Sequence, residues 1–221
     1  MNLSKSLEYF DPINQVDDAI HVIGVGAMGS RVAELLVRLG IRKIHIWDMD
    51  TVEDKNIANQ IYLHPHIGMK KTDALELILK DINPQLQVIK HGEYKDQALA
   101  GYIFLNVDSI ELRYNIVKNN LDNKLIKAMF DCRMRLEDAQ SYAAKWSDEY
   151  QKKLFISSME FTDEEAKEAT PVSACGTTLS VASTVVSTAA FTVSNFINLI
   201  RCDKLVSMIF TNAFNYNVTV L

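Results

Sequence analysis

A glycine-containing segment between two apolar runs is the part of the chain whose residue types most clearly suggest chemistry. Apolar residues 20–23 predict a buried strand, Gly24, Gly26 and Gly29 follow with the spacing G-x-G-x-x-G, and residues 30–39 predict a helix. Glycine lets the backbone approach a phosphate closely, and the free N–H groups at the start of a helix attract anions. This order of elements predicts a nucleotide-binding loop, although glycines also serve plain packing of a strand against a helix.

A second set of polar residues follows the next predicted strand. Asp48 and Asp50 come at the end of the apolar run 44–47, and Asn56 and Gln60 follow them. A carboxylate about 20 residues beyond the glycines can accept hydrogen bonds from ribose hydroxyl groups. A dehydrogenase needs one such acid and nothing particular after it. The additional polar residues therefore favour a nucleotide chemistry other than hydride transfer.

These residues carry a resemblance to a known family. The pattern D-x-D-x-V-x-x-x-N-x-x-R-Q, then G-x-x-K and N-P, is typical of the ThiF/MoeB/HesA adenylyltransferases of the ubiquitin-activating-enzyme superfamily. The chain resembles that family firmly over about residues 20–131 and loosely over about 170–200. The resemblance implies an ATP site with Mg²⁺. The residues that would bind the nucleotide are Gly24, Gly26, Gly29, Asp48, Asp50, Asn56, Gln60 and Lys71.

Two of the implied residues also have simpler interpretations. The resemblance makes Lys71 the lysine that contacts the ATP phosphates, whereas a lysine beside Lys70 could also be a solvated residue at a helix start. It makes Asp108 the aspartate that holds Mg²⁺ or orients the acyl phosphate. Asp108 could instead cap the helix predicted from Ile110, since aspartate is a good N-cap residue.

The chain departs from the family pattern at one position. Asn59 stands where the pattern has arginine, directly before Gln60. Asparagine cannot carry the positive charge that an arginine places on a transferring phosphoryl group. Adenylation would then be slow or lost, or would use Arg31, Arg113 or Arg133 in its place. ATP binding is expected more firmly than catalysis.

The three cysteines are odd in number and widely spaced, which favours neither a disulfide framework nor a zinc site. Cys175 precedes a predicted long helix over 177–201, and a helix N-terminus favours thiolate, so Cys175 is the first candidate for a thioester-forming nucleophile. A small buried hydrophobe is an equally good interpretation of Cys175. Cys132 follows a predicted strand and is the alternative nucleophile. Cys202 is expected to be structural.

Composition limits the partners and the location. The chain has 221 residues and a net charge of −5 without a dense basic block, which disfavours nucleic acid and anionic membranes as partners. Residues 169–200 carry no charge and are long enough to span a bilayer. Their many Ser, Thr and Asn residues favour a buried core helix instead. With no export signal in residues 1–10, a cytoplasmic location is expected.

Strands and helices alternate up to residue 131, which predicts a Rossmann-like, doubly wound, mainly parallel sheet with helices on both faces. An antiparallel C-terminal extension is expected after it, with a strand over 139–146, a charged connector over 149–168, the long helix and a hairpin of strands 205–210 and 214–221. The whole chain is expected to be one adenylation domain. Its parts are the nucleotide-binding core 20–131, a crossover region 132–176, and the helix with the closing hairpin, 177–221.

The resemblance implies an ATP-dependent adenylyltransferase that activates the C-terminal carboxylate of a small ubiquitin-like or sulfur-carrier protein, with thioester formation as an open further step. One alternative is a catalytically impaired, ATP-binding interaction protein of the same family. A second alternative is an NAD-dependent oxidoreductase. The uncharged long helix and its small side chains also predict a homodimer, because such a face is costly on a monomer.

Overall fold

The computed structural model describes residues 1–168, 170–172, 174 and 179–221. The strands are β1 (Ile20–Ile23), β2 (Lys43–Trp47), β3 (Gln87–His91), β4 (Gly101–Leu105), β5 (Ile126–Arg135), β6 (Asp138–Lys145), β7 (Met208–Asn212) and β8 (Asn217–Val220). The helices are α1 (Pro12–Gln15), α2 (Ala27–Arg38), α3 (Lys71–Ile82), α4 (Ile110–Asn119), α5 (Glu149–Ser157), α6 (Asp163–Glu168) and α7 (Ala182–Cys202). Two short 3-10 turns, Asp54–Asn56 and His64–His66, lie between β2 and α3.

The strands form one eight-stranded sheet in the order β3-β2-β1-β4-β5-β6-β7-β8. The strands from β3 to β5 in this order pair in parallel, and those from β5 to β8 pair antiparallel. The order reverses direction at β1, which has β2 on one side and β4 on the other. In open parallel sheets, ligands bind at the carboxyl ends of the strands at such a reversal. The predicted mainly parallel sheet with an antiparallel extension is confirmed.

Helices cover the sheet on both faces, as predicted. The core on one face includes Val32 and Leu36 of α2, Leu75 of α3 and Phe196 of α7. The core on the other face includes Ile116 of α4 and Phe155 of α5. This double cover explains why β1 and β4 are mainly apolar, with His21 of β1 as the exception, since alternate residues of a strand point to opposite faces and both faces here are buried.

The long helix is shorter at its start than predicted. It runs from Ala182 to Cys202, so residues 179–181 lie outside it, and residues 177 and 178 lie outside the described part of the chain. Among the described residues, α7 is long and apolar enough to cross a membrane by length and composition. It packs against α2, β5 and β6, and half of its most apolar window is buried, which is the behaviour of a core helix.

Two predicted features of the C-terminal region are corrected. The connector 149–168 contains α5 and α6 rather than an irregular segment. Helix α5 begins after Asp148, whose carboxylate accepts hydrogen bonds from the backbone N–H groups of residues 150 and 151, and buries Phe155 edge-on against Trp146. The closing hairpin consists of the strands Met208–Asn212 and Asn217–Val220. The turn starts at Asn212, because its Oδ1 accepts hydrogen bonds from the N–H groups of residues 214 and 215.

Candidate active site

The glycine loop between β1 and α2 is tightly packed on one side and open on the other. Gly24 has φ +84°, and a Cβ there would lie 2.7 Å from the carbonyl oxygen of Asn106. A Cβ on Gly29 would lie 1.8 Å from the carbonyl oxygen of Gly24, so only glycine fits at these two positions. A Cβ on Gly26 would meet nothing within 4 Å. The loop therefore offers open space directly before the N-terminus of α2, where a phosphate would be favoured.

Asp48 lies beside this loop at the carboxyl end of β2. Its carboxylate accepts hydrogen bonds from the N–H groups of Val25 and Asp50, both at 2.9 Å. Burial raises the pKa of the Asp48 carboxyl, although the Lys71 cation and the two N–H groups act in the opposite direction. The contact with Val25 links the acid at the end of β2 to the glycine loop after β1.

Lys71 completes this cluster. Its Nζ lies 2.7 Å from Asp50 Oδ2 and 4.0 Å from Asp48 Oδ1, and the side chain is buried. The interpretation of Lys71 as a solvated surface lysine is therefore wrong. The backbone N–H of Lys71 also donates to the Asp50 carbonyl oxygen at 2.9 Å, which fixes the start of α3 against the end of β2. The glycine loop, Asp48, Asp50 and Lys71 thus lie together.

The loop after β2 is held by its own amide side chains. Asn56 is buried, and its Oδ1 accepts a hydrogen bond from the Glu53 N–H at 2.8 Å, which closes the 3-10 turn. Asn59 Nδ2 donates to Ser180 Oγ at 2.9 Å, just before α7. Gln60 Oε1 is buried and has no hydrogen-bond partner among the described residues. Of these three amides, Gln60 is the one with an unused buried acceptor near the glycine loop.

Asp108 is exposed at the carboxyl end of β4 and does not cap α4, so that interpretation is wrong. The cap is Ser109, whose Oγ accepts a hydrogen bond from the Leu112 N–H. Asp163 of α6 adds a second, distant cap. Its carboxylate accepts from the Ile110 N–H at 2.5 Å and from Ser109 Oγ at 3.0 Å. These hydrogen bonds hold the pKa of Asp163 below its usual value despite some burial.

Sequence reasoning missed Asn106 as a site residue. It ends the apolar run of β4, and its side chain lies next to Gly29. Both polar atoms of its amide are buried without a hydrogen-bond partner in the described part of the chain. Buried polar atoms are almost always paired, so an unpaired amide beside the loop indicates a place for a ligand or a water molecule. An asparagine directly after an apolar strand was the available signal.

Two of the three arginines that could replace the family arginine are engaged elsewhere. Asp131, fully buried at the middle of β5, forms ion pairs with both Arg113 and Arg133. Arg133 also donates to the carbonyl oxygen and Oγ of Ser158. Burial lowers the pKa of Arg113, which Asp131 counteracts. Removing either arginine would leave a buried carboxylate with fewer partners, so both serve the structure beside α4.

The cysteines differ sharply in their surroundings. Cys132 is buried on the face of the sheet covered by α7, with its Sγ 3.1 Å from Thr192 Oγ1. Burial raises the pKa of its thiol to about 12, so this sulfur is poorly suited to act as a nucleophile in this conformation. Cys202 is exposed and is the last residue of α7. Cys175 lies outside the described residues.

The residues present fit an adenine nucleotide. The glycine loop is open at Gly26, and the Asp48 carboxylate and the Lys71 ammonium lie beside it, groups of the kind that would bind a ribose and phosphates. No group of three or more His, Cys, Asp or Glu side chains within the described residues could hold a metal ion. Mg²⁺ at nucleotide sites uses one or two carboxylates together with the phosphates, and the exposed Asp108 fits that mode.

Comparison with known proteins identifies the family. A model of the ThiF family matches residues 14–162, from within α1 to the residue directly before α6. The chain belongs to the ThiF family. The matched range holds the glycine loop, the Asp48 cluster, Lys71 and Asp108, so the site described above lies within the part that is shared with the ThiF family.

Relatives of known name cover part of the chain. This chain is 41% identical to ubiquitin-like modifier-activating enzyme 5 of Branchiostoma floridae, over 45% of this chain and 29% of that protein. It is 42% identical to the enzyme of the same name from Xenopus laevis, over 33% of this chain and 18% of that protein. The ThiF family chain thus spans less than a third of the length of these relatives.

Solved structures agree in fold over nearly the whole chain. E. coli MccB with ATP superposes with a TM-score of 0.71 at 16% identity, over 94% of this chain and 64% of MccB. PaaA superposes with a TM-score of 0.69 at 15% identity, over 93% of this chain and 64% of PaaA. The Rossmann-like ThiF fold therefore extends through the antiparallel strands and α7, beyond the residues that the family model matches.

Proposed function

We propose that the chain is an ATP-dependent adenylyltransferase that activates the C-terminal carboxylate of a small ubiquitin-like or sulfur-carrier protein. The observation that carries this proposal is the cluster of Asp48, Asp50 and Lys71 beside the open glycine loop. An oxidoreductase needs only the first of these residues, whereas a site that handles a triphosphate needs a cation such as Lys71 next to the loop.

In the proposed reaction, a carboxylate oxygen of the partner attacks the α-phosphorus of ATP, pyrophosphate leaves, and an acyl adenylate forms. Asp48 would accept hydrogen bonds from the ribose, and the N–H groups at the start of α2 would bind phosphate oxygens. Lys71 would stabilise the negative charge on the phosphates. Mg²⁺, held by Asp108, would supply further charge neutralisation. The contribution of the chain is therefore positioning and electrostatic stabilisation.

The partner class is supported by the names of the relatives. Ubiquitin-like modifier-activating enzyme 5 is named for a ubiquitin-like modifier, and structures of MccB include one with MccA. A homodimer and a cytoplasmic location remain part of the proposal. Sedimentation of the chain at micromolar concentration tests the dimer, since a species of 25.0 kDa alone would contradict it.

The first test is a comparison of ligands by thermal unfolding. Mg-ATP should stabilise the protein and NAD should not. At a ligand concentration 100 times its dissociation constant, the stabilisation should be about 2.7 kcal/mol. Stabilisation by NAD without any by Mg-ATP would favour the oxidoreductase and refute the proposal.

The second test separates an active enzyme from a catalytically impaired one. ATP–pyrophosphate exchange is measured with a panel of ubiquitin-like and sulfur-carrier proteins that end in a free carboxylate. Carrier-dependent exchange supports the proposal. Stabilisation by Mg-ATP without exchange for any carrier would favour the ATP-binding interaction protein, for which the replacement of the family arginine by Asn59 is the specific observation.

A further inference from the structure

Lys71 is the one cationic side chain assigned so far to the candidate nucleotide site, against three carboxylates. Asp48, Asp50 and Asp108 contribute carboxylates, and Lys71 is already paired with Asp50 at 2.7 Å. At the position of the family arginine, Asn59 is neutral and donates to Ser180. A triphosphate would bring several negative charges into this site. Besides the Mg²⁺ proposed at Asp108, a second cationic side chain close to the glycine loop would offset this charge.

One arginine near the loop is not engaged by the buried Asp131. Arg113 and Arg133 both pair with Asp131, whereas Arg31 lies in α2, directly after Ser30 and close to the loop. We infer that Arg31 binds the phosphate tail of the nucleotide and supplies the charge that Asn59 lacks. This inference rests on the proposed function and names the residue that meets the outer phosphates.

Buried polar atoms without hydrogen-bond partners lie near the start of α2, close to Arg31. Arg31 Nε, Gln60 Oε1 and both amide atoms of Asn106 are buried without hydrogen-bond partners in the described part of the chain. Arg31 lies in the first half of α2, and two observations place the other residues near the start of that helix. Asn106 lies next to Gly29, and Gln60 precedes the residue whose N–H donates to Ser30 Oγ. Side chains on a helix also lean toward its N-terminus, so Arg31 can reach the loop.

The present partner of Arg31 can release it at little cost. Arg31 pairs with Glu34 at 3.0 Å, and Glu34 also pairs with Arg38 at 2.9 Å. The Glu34–Arg38 pair has the favourable i,i+4 order with the acid first. Glu34 would therefore keep a cation when Arg31 turns toward a phosphate.

Arg38 provides a matched control, because it pairs with the same Glu34 farther from the loop. Binding of Mg-ATP and of AMP to the full chain is measured by calorimetry for wild type, Arg31→Ala, Arg31→Lys and Arg38→Ala, with melting temperatures for each. Loss of a hydrogen-bonded charge pair predicts that Arg31→Ala weakens ATP binding on the order of tenfold. AMP binding should change less than twofold, and Arg31→Lys should recover part of the loss. Arg38→Ala removes only the second partner of Glu34, so it should weaken ATP binding less than Arg31→Ala does.

The outcomes separate this inference from the proposed function. A wild-type chain that binds neither nucleotide refutes both. A wild-type chain that binds ATP, with Arg31→Ala and Arg38→Ala equal to it, refutes the role of Arg31 alone. Two other results would also refute it: equal weakening of ATP and AMP binding by Arg31→Ala, and equal effects of Arg31→Ala and Arg38→Ala. Either result would indicate a general effect on the fold or on the electrostatic potential around the site.

A second substitution tests whether Arg31 supplies the positive charge that the family pattern has at position 59. Asn59→Arg restores the charge of the family pattern. If Arg31 already supplies this charge, Asn59→Arg should recover ATP binding in the Arg31→Ala background and add little in the wild type. Equal gains in both backgrounds would mean that the two positions act independently, and would refute the inference.

Discussion

Acidification should destabilise this protein through a histidine buried in the sheet. His21 of β1 stacks on His45 of β2 with ring centroids 4.4 Å apart, and its Nδ1 lies 3.2 Å from Trp47 Nε1. Indole Nε1 is only a donor, so His21 Nδ1 must accept and cannot carry a proton in this arrangement. Burial lowers the pKa of His21 from 6.5 to about 3, with smaller contributions from His45, His91 and Lys43.

The sign and size of the effect follow from this pKa. The unfolded chain takes up a proton at His21 below pH 6.5, whereas the folded protein does so only near pH 3. The stability is therefore complete above pH 6.5 and is lost progressively as the pH falls toward 3. Each bound proton contributes about 1.4 kcal/mol per pH unit, so His21 alone should remove about 2 kcal/mol by pH 5. Burial also lowers the pKa of half-buried His45 to about 4, which acts in the same direction.

Urea unfolding at several values between pH 7.5 and 5 measures this dependence for wild type and for His21→Phe. The substitution removes the titrating group and leaves an aromatic ring in the stack. It should lower the free energy of unfolding at pH 7.5, since the indole N–H of Trp47 loses its acceptor. It should also reduce the slope of that free energy against pH by the contribution of about one proton. His64→Phe, at an exposed turn residue, is the control. An unchanged slope in His21→Phe would refute this reasoning.

Three further outcomes are expected. Gly29→Ala should lower the free energy of unfolding by roughly 1–3 kcal/mol in urea titrations, because its Cβ would meet backbone, whereas Gly26→Ala should leave it unchanged and weaken ATP binding. Asp108→Ala should abolish pyrophosphate exchange and leave the melting temperature within a few degrees, since the side chain is exposed; a large drop in melting temperature would contradict this. Cys175→Ala should keep exchange but lose a reductant-sensitive adduct with the carrier, and Cys132→Ala should keep both, as gel analysis of the adduct would reveal.

The parts of the structure that sequence reasoning predicted depend on short-range patterns. Strands β1 and β4 are mainly apolar because both faces are buried, and Asp48 lies a short distance in sequence after the glycines. Helix α5 was missed because its surface is charged and it buries few residues, chiefly Phe155. Its capping residue Asp148 was the available signal, and a cap followed by so few apolar residues is weak on its own.

The contacts that complete the site join residues far apart in the chain. Asp163 caps α4 from 53 residues away, and Asn59 reaches Ser180 across 121 residues. Neither pair leaves a periodic pattern or a motif, because the partners come together only in the folded chain. The pairs of Arg113 and Arg133 with Asp131 span only 18 and 2 residues, yet they too leave no motif, so both arginines are open candidates for the missing charge on sequence alone.

The contact of Asn59 explains why a neutral residue can be favoured at this position. Asn59 Nδ2 donates to Ser180 Oγ, and Ser180 also bridges to Leu136 at the turn between β5 and β6. The amide thus ties the loop after β2 to the segment that leads into α7. An arginine directed at a phosphate could not make this contact at the same time. Holding the segment before α7 and neutralising the phosphates are therefore competing demands on position 59. The cation of Arg31 would meet the second demand while Asn59 meets the first.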